Sequence, residues 1–291
     1  MSTTVQDEYG AVVDEYMSLR SSPWVEHVEL PTIAKLIEET SSGTVRGKRV
    51  LDAACGDGLY TRFLRDMGAK KVVGLDLTEE MIRLAESKSS EGIDYFVGDV
   101  RELSNLDSAV ARNVLKEGPF DIVTAGYLLN YSPDEATLSQ MFEALSSVLK
   151  PGGAVIGLNN NPFLDRPPFP DTRSYGVQKM VPGHEDGVRF SPGTPIKVSL
   201  LDTTSADFPE VGSFTNYWLP PQAHYDAARR AGLALSWHSF TNDWAVTPGG
   251  TTAEEYFGTS FDPAGGGMPD REPVITTAPF TAIKTIPPSE S

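Results

Sequence analysis

Residues 49–58, which read Arg-Val-Leu-Asp-Ala-Ala-Cys-Gly-Asp-Gly, form the pattern with the clearest chemical meaning in this chain. An apolar strand runs into a carboxylate, Asp52, and then into small residues and two glycines that open a helix. Such a turn brings bare backbone close to a ligand. An acid at this point suits a ligand with a cationic amine and would repel a diphosphate. A dinucleotide pattern would also need glycine at position 61, where the chain has Thr61.

Three further strand ends carry residues that suit a charged nucleoside. The second predicted strand ends in Asp76, which could accept hydrogen bonds from both hydroxyls of a ribose, and the third ends in Gly98-Asp99-Val100, where the acid could accept from an adenine amino group. The fourth ends in Thr124-Ala125-Gly126, whose small side chains let a methyl-bearing sulfonium approach the backbone. Ligands of open α/β sheets bind beyond the carboxyl ends of the strands. Together, the four strand ends predict an S-adenosylmethionine site.

Alternating strands and helices must position these residues. Strands are predicted over 50–54, 71–76, 93–97, 120–125 and 154–159, with helices over 59–67, from residue 78, and along the apolar positions Leu138 to Leu149. Pro151-Gly152-Gly153 is predicted to turn the chain into the fifth strand. This alternation predicts a parallel sheet with helices on both faces.

Proline divides the chain, because 18 of its 22 prolines fall at or after position 151. Segments 1–45 are predicted to form an N-terminal helical cap, with helices over 9–20 and 23–40 and a bend at Pro31, followed by a ligand-binding core over 46–160. The segment 161–220 is too long for an ordinary connection between two elements. It is predicted to form a β-rich insert that serves as a substrate lid. Residues 221–291, with a helix over 222–231 and strands over 233–240 and 278–286, are predicted to complete the core sheet around a loop insert.

Composition limits the possible partners. The 24 basic and 40 acidic residues give a net charge of −16, which disfavours nucleic acid and anionic membranes. The single cysteine, Cys55, excludes an internal disulfide framework and a cysteine metal cluster. The N-terminal residues lack the signal-peptide pattern, and no apolar run approaches the roughly 18 residues of a membrane span. We therefore expect a cytoplasmic monomer or homodimer without a metal.

Residues 50–160 resemble the seven-stranded class I methyltransferases that use S-adenosylmethionine. The resemblance is carried by VLDAACGDG, VVGLDLTEEMI, GDV and LKPGGAVIG. More narrowly, CGDGLYTRFLRDMGAKKVVGLDLTEEMI and the tract NNNPF before a β-rich insert are similar to small natural-product methyltransferases of the toxoflavin-biosynthesis type. This resemblance implies a Rossmann-like, seven-stranded, mostly parallel sheet and S-adenosylhomocysteine as a product.

The same resemblance implies roles for individual residues. Asp52 would hold the methionine amine, directly or through water, and the turn would lie along the methionyl part. The cofactor contacts that follow from the resemblance and from the four strand ends are Tyr16, Asp52, Ala54, Gly56, Asp76, Leu77, Met81, Asp99, Val100 and Ala125. Leu77 and Met81 would sandwich the adenine, and Tyr16 would close the pocket from the N-terminal helix.

The residues that would act on the acceptor are less well marked. An acceptor hydroxyl or ring nitrogen can require a base that removes its proton. The candidate catalytic residues are Tyr127, which follows the fourth strand, His224, which we expect to face the substrate mouth, and His184 in the insert. The candidate substrate contacts are Trp24, Asn159, Asn161 and Tyr217. His27 could line the cofactor entrance, and His238 is predicted to be structural.

Three other classes of protein were weighed against methyl transfer to a small molecule. Methyltransferases that act on nucleic-acid amino groups would carry Asn or Asp-Pro-Pro-aromatic after strand four, where this chain has Ala125-Gly126-Tyr127. An NAD-dependent oxidoreductase is disfavoured by Asp52 and Thr61. A catalytically silent regulatory protein that binds the cofactor stays open, because no base stands out. The sequence favours methyl transfer to an oxygen or nitrogen of a small aromatic or heterocyclic metabolite.

Overall fold

The five strands predicted in the first half of the chain lie side by side in one sheet. The computed structural model describes residues 25–238 and 277–285, except residues 41, 90, 168 and 170. The strands are β1 Arg49–Ala53, β2 Lys71–Asp76, β3 Ile93–Val97, β4 Phe120–Thr124 and β5 Leu149–Asn160. Strand β5 begins earlier than predicted, because the Pro151-Gly152-Gly153 segment continues the strand and does not turn into it.

Two later strands complete a seven-stranded sheet. They are β9 Leu233–Trp237 and β10 Thr277–Lys284, and the strand order is β3-β2-β1-β4-β5-β10-β9. Strands β1 to β5 pair in parallel, whereas β10 runs antiparallel to both β5 and β9. The predicted Rossmann-like, mostly parallel seven-stranded sheet is thereby confirmed.

Six α-helices lie in the described part of the chain: α1 Leu30–Glu39, α2 Leu59–Asp66, α3 Glu79–Ser87, α4 Ala109–Glu117, α5 Glu135–Ser147 and α6 Pro221–Arg230. A π-helical turn, Val25–Glu29, precedes α1, so the helix predicted over 23–40 changes type beside Pro31, where a bend was expected. The sequence analysis missed α4, which begins where the Ser108 hydroxyl accepts a hydrogen bond from the Val110 amide. The helix predicted over 9–20 lies outside the described residues.

The hydrophobic core has two parts, one on each face of the sheet. Neighbouring residues of a strand point to opposite faces. Along β1, Leu51 therefore packs into one apolar cluster with Phe142 of α5, while Val50 packs into the other with Leu36 of α1. Burial of the strands on both faces explains their nearly continuous apolar sequences.

The insert forms a separate antiparallel sheet of three strands, β6 Val177–Met180, β7 Thr194–Leu201 and β8 Glu210–Trp218. It has a small apolar cluster of its own around Phe190, Ile196 and Trp218. The Trp218 indole N–H donates to the Pro162 carbonyl at 3.1 Å, which ties the end of β8 to the chain just after β5. The division of the whole chain into four domains stays a prediction.

The described residues contain neither a membrane-spanning helix nor a cluster of metal ligands. None of the helices in that part of the chain has the length and hydrophobicity needed to cross a bilayer. The same residues contain no group of three or more histidine, cysteine, aspartate or glutamate side chains arranged to hold a metal ion.

Candidate functional site

A cavity opens where β1, β2, β3 and β4 end, at the carboxyl edge of the sheet. Its walls include eight of the residues predicted from the sequence: Ala54, Gly56, Asp76, Leu77, Met81, Asp99, Val100 and Tyr127. The topology brings these residues together because parallel strands end at the same edge. Tyr16 and Trp24 lie outside the described residues, so their predicted roles stay predictions.

The turn after β1 presents bare backbone to the cavity. Ala54, Gly56 and Gly58 all have left-handed backbone conformations, with φ of 61°, 54° and 77°. A side chain at Gly58 could not fit, since its Cβ would lie 2.4 Å from the Tyr95 hydroxyl oxygen. Ala54 adopts a conformation that favours glycine, and such strain concentrates at functional sites. Burial raises the pKa of the Cys55 thiol in this turn well above its ordinary value, so the thiol stays protonated and unreactive.

Asp76 joins the end of β2 to this turn. One carboxylate oxygen accepts a hydrogen bond from the Gly56 amide at 2.8 Å, and the other accepts from the Thr78 amide at 2.9 Å. Burial raises the pKa of the Asp76 carboxyl, although the amide donors oppose the shift. Each carboxylate oxygen has a second lone pair. Asp76 can therefore hold the turn in place and still accept hydrogen bonds from two hydroxyls of a ligand.

Asp52 lies behind the cavity wall. It is only 1% exposed, and its two oxygens accept hydrogen bonds from the hydroxyls of Thr61 and Thr124, each at 2.6 Å. These bonds tie β1 to α2 and β4. Direct contact between Asp52 and a methionine amine is thereby disfavoured, which leaves the water-mediated alternative. Ala125 is likewise fully buried, and its neighbour Gly126 lines the cavity instead.

The Asp99 carboxylate is paired with Arg101, a residue that was not predicted to be part of the site. The Arg101 guanidinium Nε lies 3.0 Å from both oxygens of Asp99, and the Arg101 amide donates to Asp99 at 2.9 Å. The hydrogen bond to Asp99 raises the pKa of Arg101. Arg101 also lines the cavity. An adenine amino group that binds Asp99 must therefore share this carboxylate with Arg101.

Apolar side chains form the rest of the wall. Met81 is 1% exposed at the first turn of α3, and Leu77 precedes it, so the two suit the predicted sandwich around a planar base. Tyr131 and Met141 line the cavity as well. The sequence analysis missed Tyr131 as a wall residue, and it placed Met141 in the apolar stripe of a helix.

Tyr127 is the one candidate catalytic residue found on the wall of this cavity. Its backbone is left-handed, with φ of 57°, which is unusual for a side chain of this size. The Tyr127 hydroxyl donates to Glu29 Oε1 at 2.9 Å, and the Tyr60 hydroxyl donates to Glu29 Oε2 at 2.6 Å. The sequence analysis did not single out Glu29, because no local pattern connects it to Tyr127.

The two candidate histidines do not line the cavity. His224 is 3% exposed; its Nδ1 lies 3.1 Å from the Pro220 carbonyl, and its ring packs edge-on against Trp237. The expectation that His224 faces a substrate mouth is therefore wrong. His184 lies in a turn of the insert, with Nε2 3.1 Å from the Val188 carbonyl. His238 contacts Glu39 and Thr281, consistent with a structural role.

Burial of His224 predicts acid sensitivity of the fold. Burial lowers the pKa of His224 from 6.5 to about 4, so its contribution to stability is fully present above pH 6.5 and is lost as the pH falls towards 4. We expect the free energy of unfolding to fall by about 2.5 kcal/mol through this group between pH 7.5 and 4.5. Urea unfolding at both pH values should show a smaller fall for His224→Phe than for the wild type. His184→Gln, at a half-exposed turn, is the control; an equal fall in all three proteins would contradict the prediction.

The predicted substrate contacts lie at the end of β5 and in the insert. Asn159 is 3% exposed, and its side-chain oxygen has no hydrogen-bond partner among the described residues. The Asn161 side chain accepts from the Phe163 amide at 3.0 Å, which is the geometry of an asparagine turn before Pro162. Tyr217 is half-buried on β8. None of the three is a wall residue of the cavity, and their substrate roles stay predictions.

Asn160, next to these residues, connects the core with the insert, a contact that the sequence pattern did not indicate. Its backbone amide donates to Asn130 at 2.8 Å, and its side-chain amide donates to Asn216 of β8 at 3.2 Å. Its side-chain oxygen accepts a hydrogen bond from Lys179 of β6. Burial lowers the pKa of Lys179 to about 7. The insert is thus held against the end of β5 by buried polar side chains.

Comparison with known proteins agrees with this geometry. Residues 50–153 match the family model described as a methyltransferase domain. The chain is 31% identical over 164 residues to a ubiquinone biosynthesis O-methyltransferase of Bordetella bronchiseptica, a match that covers 52% of this chain and 62% of that protein. It is 35% identical over 121 residues to a demethylmenaquinone methyltransferase of Lactococcus lactis, across 39% of this chain and 42% of the relative. The matches span less than two thirds of the length of these relatives.

Solved structures extend the likeness to nearly the whole chain. The CcbJ methyltransferase from Streptomyces caelestis superposes with a TM-score of 0.60 at 16% identity, covering 98% of this chain and 100% of that one. CalS10, an amino pentose methyltransferase from Micromonospora echinaspora, gives a TM-score of 0.55 at 19% identity, with 94% and 97% coverage. Identities this low establish the fold alone. Residues 50–153 thus match a methyltransferase domain, and the chain has the fold seen in these solved methyltransferases.

Proposed function

We propose that this protein transfers a methyl group from S-adenosylmethionine to an oxygen or nitrogen of a small, planar metabolite. The observation that carries the proposal is the convergence of four strand ends on one cavity. There, a strained glycine turn lies beside a buried aspartate and an apolar slot. The methyltransferase domain match and the fold support the same conclusion.

The chemistry of the wall fits the parts of this cofactor. Asp76 offers acceptor oxygens to the ribose hydroxyls, and Leu77 with Met81 offers apolar surface to the adenine. The bare backbone of the turn leaves room for the methionyl part. When bound, S-adenosylmethionine supplies a methyl group on an electron-poor sulfonium. The task of the protein is then to hold that group and an acceptor in line and to exclude water, and much of the rate acceleration can come from positioning.

The insert is the element that we expect to select the acceptor. Its strand β8 carries Phe214, whose ring lies 6.4 Å from the ring of Tyr131, and Tyr131 lines the cavity. The buried contacts of Asn160 with Asn216 and Lys179 hold the insert beside the end of β5. Aromatic surface beside the cavity suits a flat acceptor.

The finer assignment is a metabolite of natural-product biosynthesis. It is supported by the likeness of the CGDGLYTRFLRDMGAKKVVGLDLTEEMI and NNNPF tracts to enzymes of that kind. Among the similar structures, CalS10 is described as involved in calicheamicin biosynthesis, whereas the curated relatives are named for ubiquinone and demethylmenaquinone.

Two measurements test the proposal. Calorimetric titration should show binding of S-adenosylhomocysteine and no binding of NAD, since a diphosphate would meet the acidic strand ends. Transfer of label from methyl-labelled S-adenosylmethionine should then occur with members of a panel of phenols, catechols and heteroaromatic amines. Binding of S-adenosylhomocysteine without any turnover would favour the silent regulatory protein, and binding of NAD alone would favour an oxidoreductase.

A further inference from the structure

Glu29 is hydrogen-bonded to Tyr127, which lines the cavity, although 98 positions separate the two residues. Glu29 is 5% exposed and ends the π-helical turn that precedes α1. Its carboxylate does not cap that helix, and its two oxygens instead accept the hydroxyl hydrogens of Tyr127 and Tyr60. Single π-helical turns and left-handed non-glycine residues are both costly local conformations that are enriched at functional sites. Here Glu29 lies in the π-helical turn, Tyr127 has the left-handed backbone, and the two residues share one hydrogen bond.

Burial of a carboxylate is costly unless it is well hydrogen-bonded. The two short bonds from tyrosine hydroxyls compensate that cost and fix the Tyr127 ring, whose carbon atoms pack against the apolar cluster on the α1 face of the sheet. A tyrosine hydroxyl has one hydrogen and two lone pairs. Since its hydrogen is directed to Glu29, any further hydrogen bond at the Tyr127 oxygen is one that the oxygen accepts, and Tyr127 is a wall residue of the cavity.

Building on the proposed function, we propose that Tyr127 and Glu29 form a proton relay that takes the proton from an acceptor hydroxyl of the phenol or enol class. The acceptor oxygen forms a bond to the methyl carbon while the carbon–sulfur bond breaks and leaves its electron pair on sulfur. The acceptor proton passes to the Tyr127 oxygen, and the Tyr127 proton passes to Glu29 Oε1. Glu29 becomes a neutral acid and returns its proton to water after the product leaves. Tyr127 is the catalytic residue, and Glu29 is a positioning residue that stores the proton.

An O–H acceptor is the class that such a relay serves. A neutral hydroxyl is a weak nucleophile, and its reactivity increases as its proton is removed in the transition state. A neutral amine already has its lone pair and can lose a proton after the transfer. A buried carboxylate behind a tyrosine would add little to amine methylation.

The test compares Glu29→Gln and Tyr127→Phe with the wild type. Glu29→Gln has nearly the same shape but cannot store the proton. Glu39→Gln is the control, because it makes the same change on a more exposed carboxylate of α1, which contacts His238. With the most active catechol of the panel, we expect Glu29→Gln to lower kcat about 100-fold at neutral pH while S-adenosylhomocysteine affinity stays within threefold. The difference in kcat between Glu29→Gln and the wild type should become smaller at high pH, where the acceptor hydroxyl ionises without the relay.

A spectroscopic readout removes the dependence on turnover. 4-Nitrocatechol, whose ionised form absorbs at longer wavelength, is titrated into protein saturated with S-adenosylhomocysteine at a pH where the free probe is neutral. The wild type, Glu39→Gln and Glu29→Gln should bind the neutral probe, whereas Tyr127→Phe, which lacks the acceptor oxygen, should bind it about tenfold more weakly.

Three outcomes would overturn the relay. They are no binding of the probe by the loaded wild type, or equal affinities of Tyr127→Phe and the wild type for it; a Glu29→Gln rate within threefold of the wild type; and a loss of cofactor affinity as large as the loss of rate. If the wild type bound S-adenosylhomocysteine but methylated no acceptor, the proposed function would fail as well, which separates that failure from a failure of the relay alone.

Discussion

Replacing Asp76 with alanine is expected to weaken the binding of S-adenosylhomocysteine about 100-fold. Asp76 would accept a hydrogen bond from each of the two ribose hydroxyls. A hydrogen bond to a charged group contributes roughly 1.5 kcal/mol or more to the free energy of binding. Two such bonds amount to about 3 kcal/mol, which corresponds to about two factors of ten in the dissociation constant. The variant also releases the Gly56 and Thr78 amides that hold the turn in its strained conformation. Calorimetric titration gives the affinity directly.

Asp121→Ala is the matched control for this experiment. Asp121 is a partly buried aspartate that also accepts a backbone amide, that of Arg49 at 2.9 Å, and contacts Lys150 at 2.7 Å. It lies at the start of β4, at the opposite edge of the sheet from the cavity. Asp121→Ala should lower stability but leave the affinity for S-adenosylhomocysteine within threefold of the wild type. An Asp76→Ala protein that is folded and binds equally well would remove the ribose assignment.

Strand positions could be read from the sequence because their signals are local. The predicted bounds of β2 and β3, 71–76 and 93–97, coincide with the observed ones, since each is an apolar run that ends at a glycine or aspartate. Helix α4 was missed because its signal is weak: only Ala111 and Val114 of its nine residues are buried. A short helix that buries so little apolar surface leaves almost no periodic pattern to detect.

The cavity wall was also predictable, because many of its residues directly follow strand ends. What the sequence could not show is where each side chain points once distant elements pack against it. The Asp52 carboxylate is turned away from the cavity by hydroxyls on α2 and β4, the second of which is 72 positions away. Arg101 donates a hydrogen bond to the Asp99 carboxylate. This contact is local in the sequence, but it forms only with particular side-chain rotamers.

The acceptor side of the site depends even more on tertiary packing. His224 was expected at a substrate mouth because it follows Pro220-Pro221 at the start of a helix. The structure instead buries it against Trp237 of β9, a contact between two later elements. Glu29 reaches Tyr127 only because α1, which follows the π-helical turn, packs against β5, the neighbour of β4 in the sheet. No spacing rule connects residues that meet in this way.

Replacing Gly157 with alanine is expected to lower the free energy of unfolding by about 3 kcal/mol, at the upper end of the usual cost of overpacking a core. A Cβ at this position would lie 2.3 Å from the Ala125 carbonyl oxygen and 2.9 Å from the Phe280 ring. The first neighbour is backbone, so it cannot rotate away, and β4 and β5 must separate where Gly157 pairs with β10. The unfolding free energy can be measured by urea denaturation.

Gly183→Ala is the control, because it replaces a glycine at a position where the added Cβ meets no neighbouring atom. Gly183 has a left-handed φ of 71°, and a Cβ there would meet nothing within 4 Å. Alanine at this position should therefore cost only about 1 kcal/mol of backbone strain. Separation of β4 from β5 would also move Gly126 and Tyr127, which follow Ala125 and line the cavity. Gly157→Ala should thus weaken S-adenosylhomocysteine binding as well, whereas Gly183→Ala should not; equal stability of the two variants would contradict the predicted clash at Gly157.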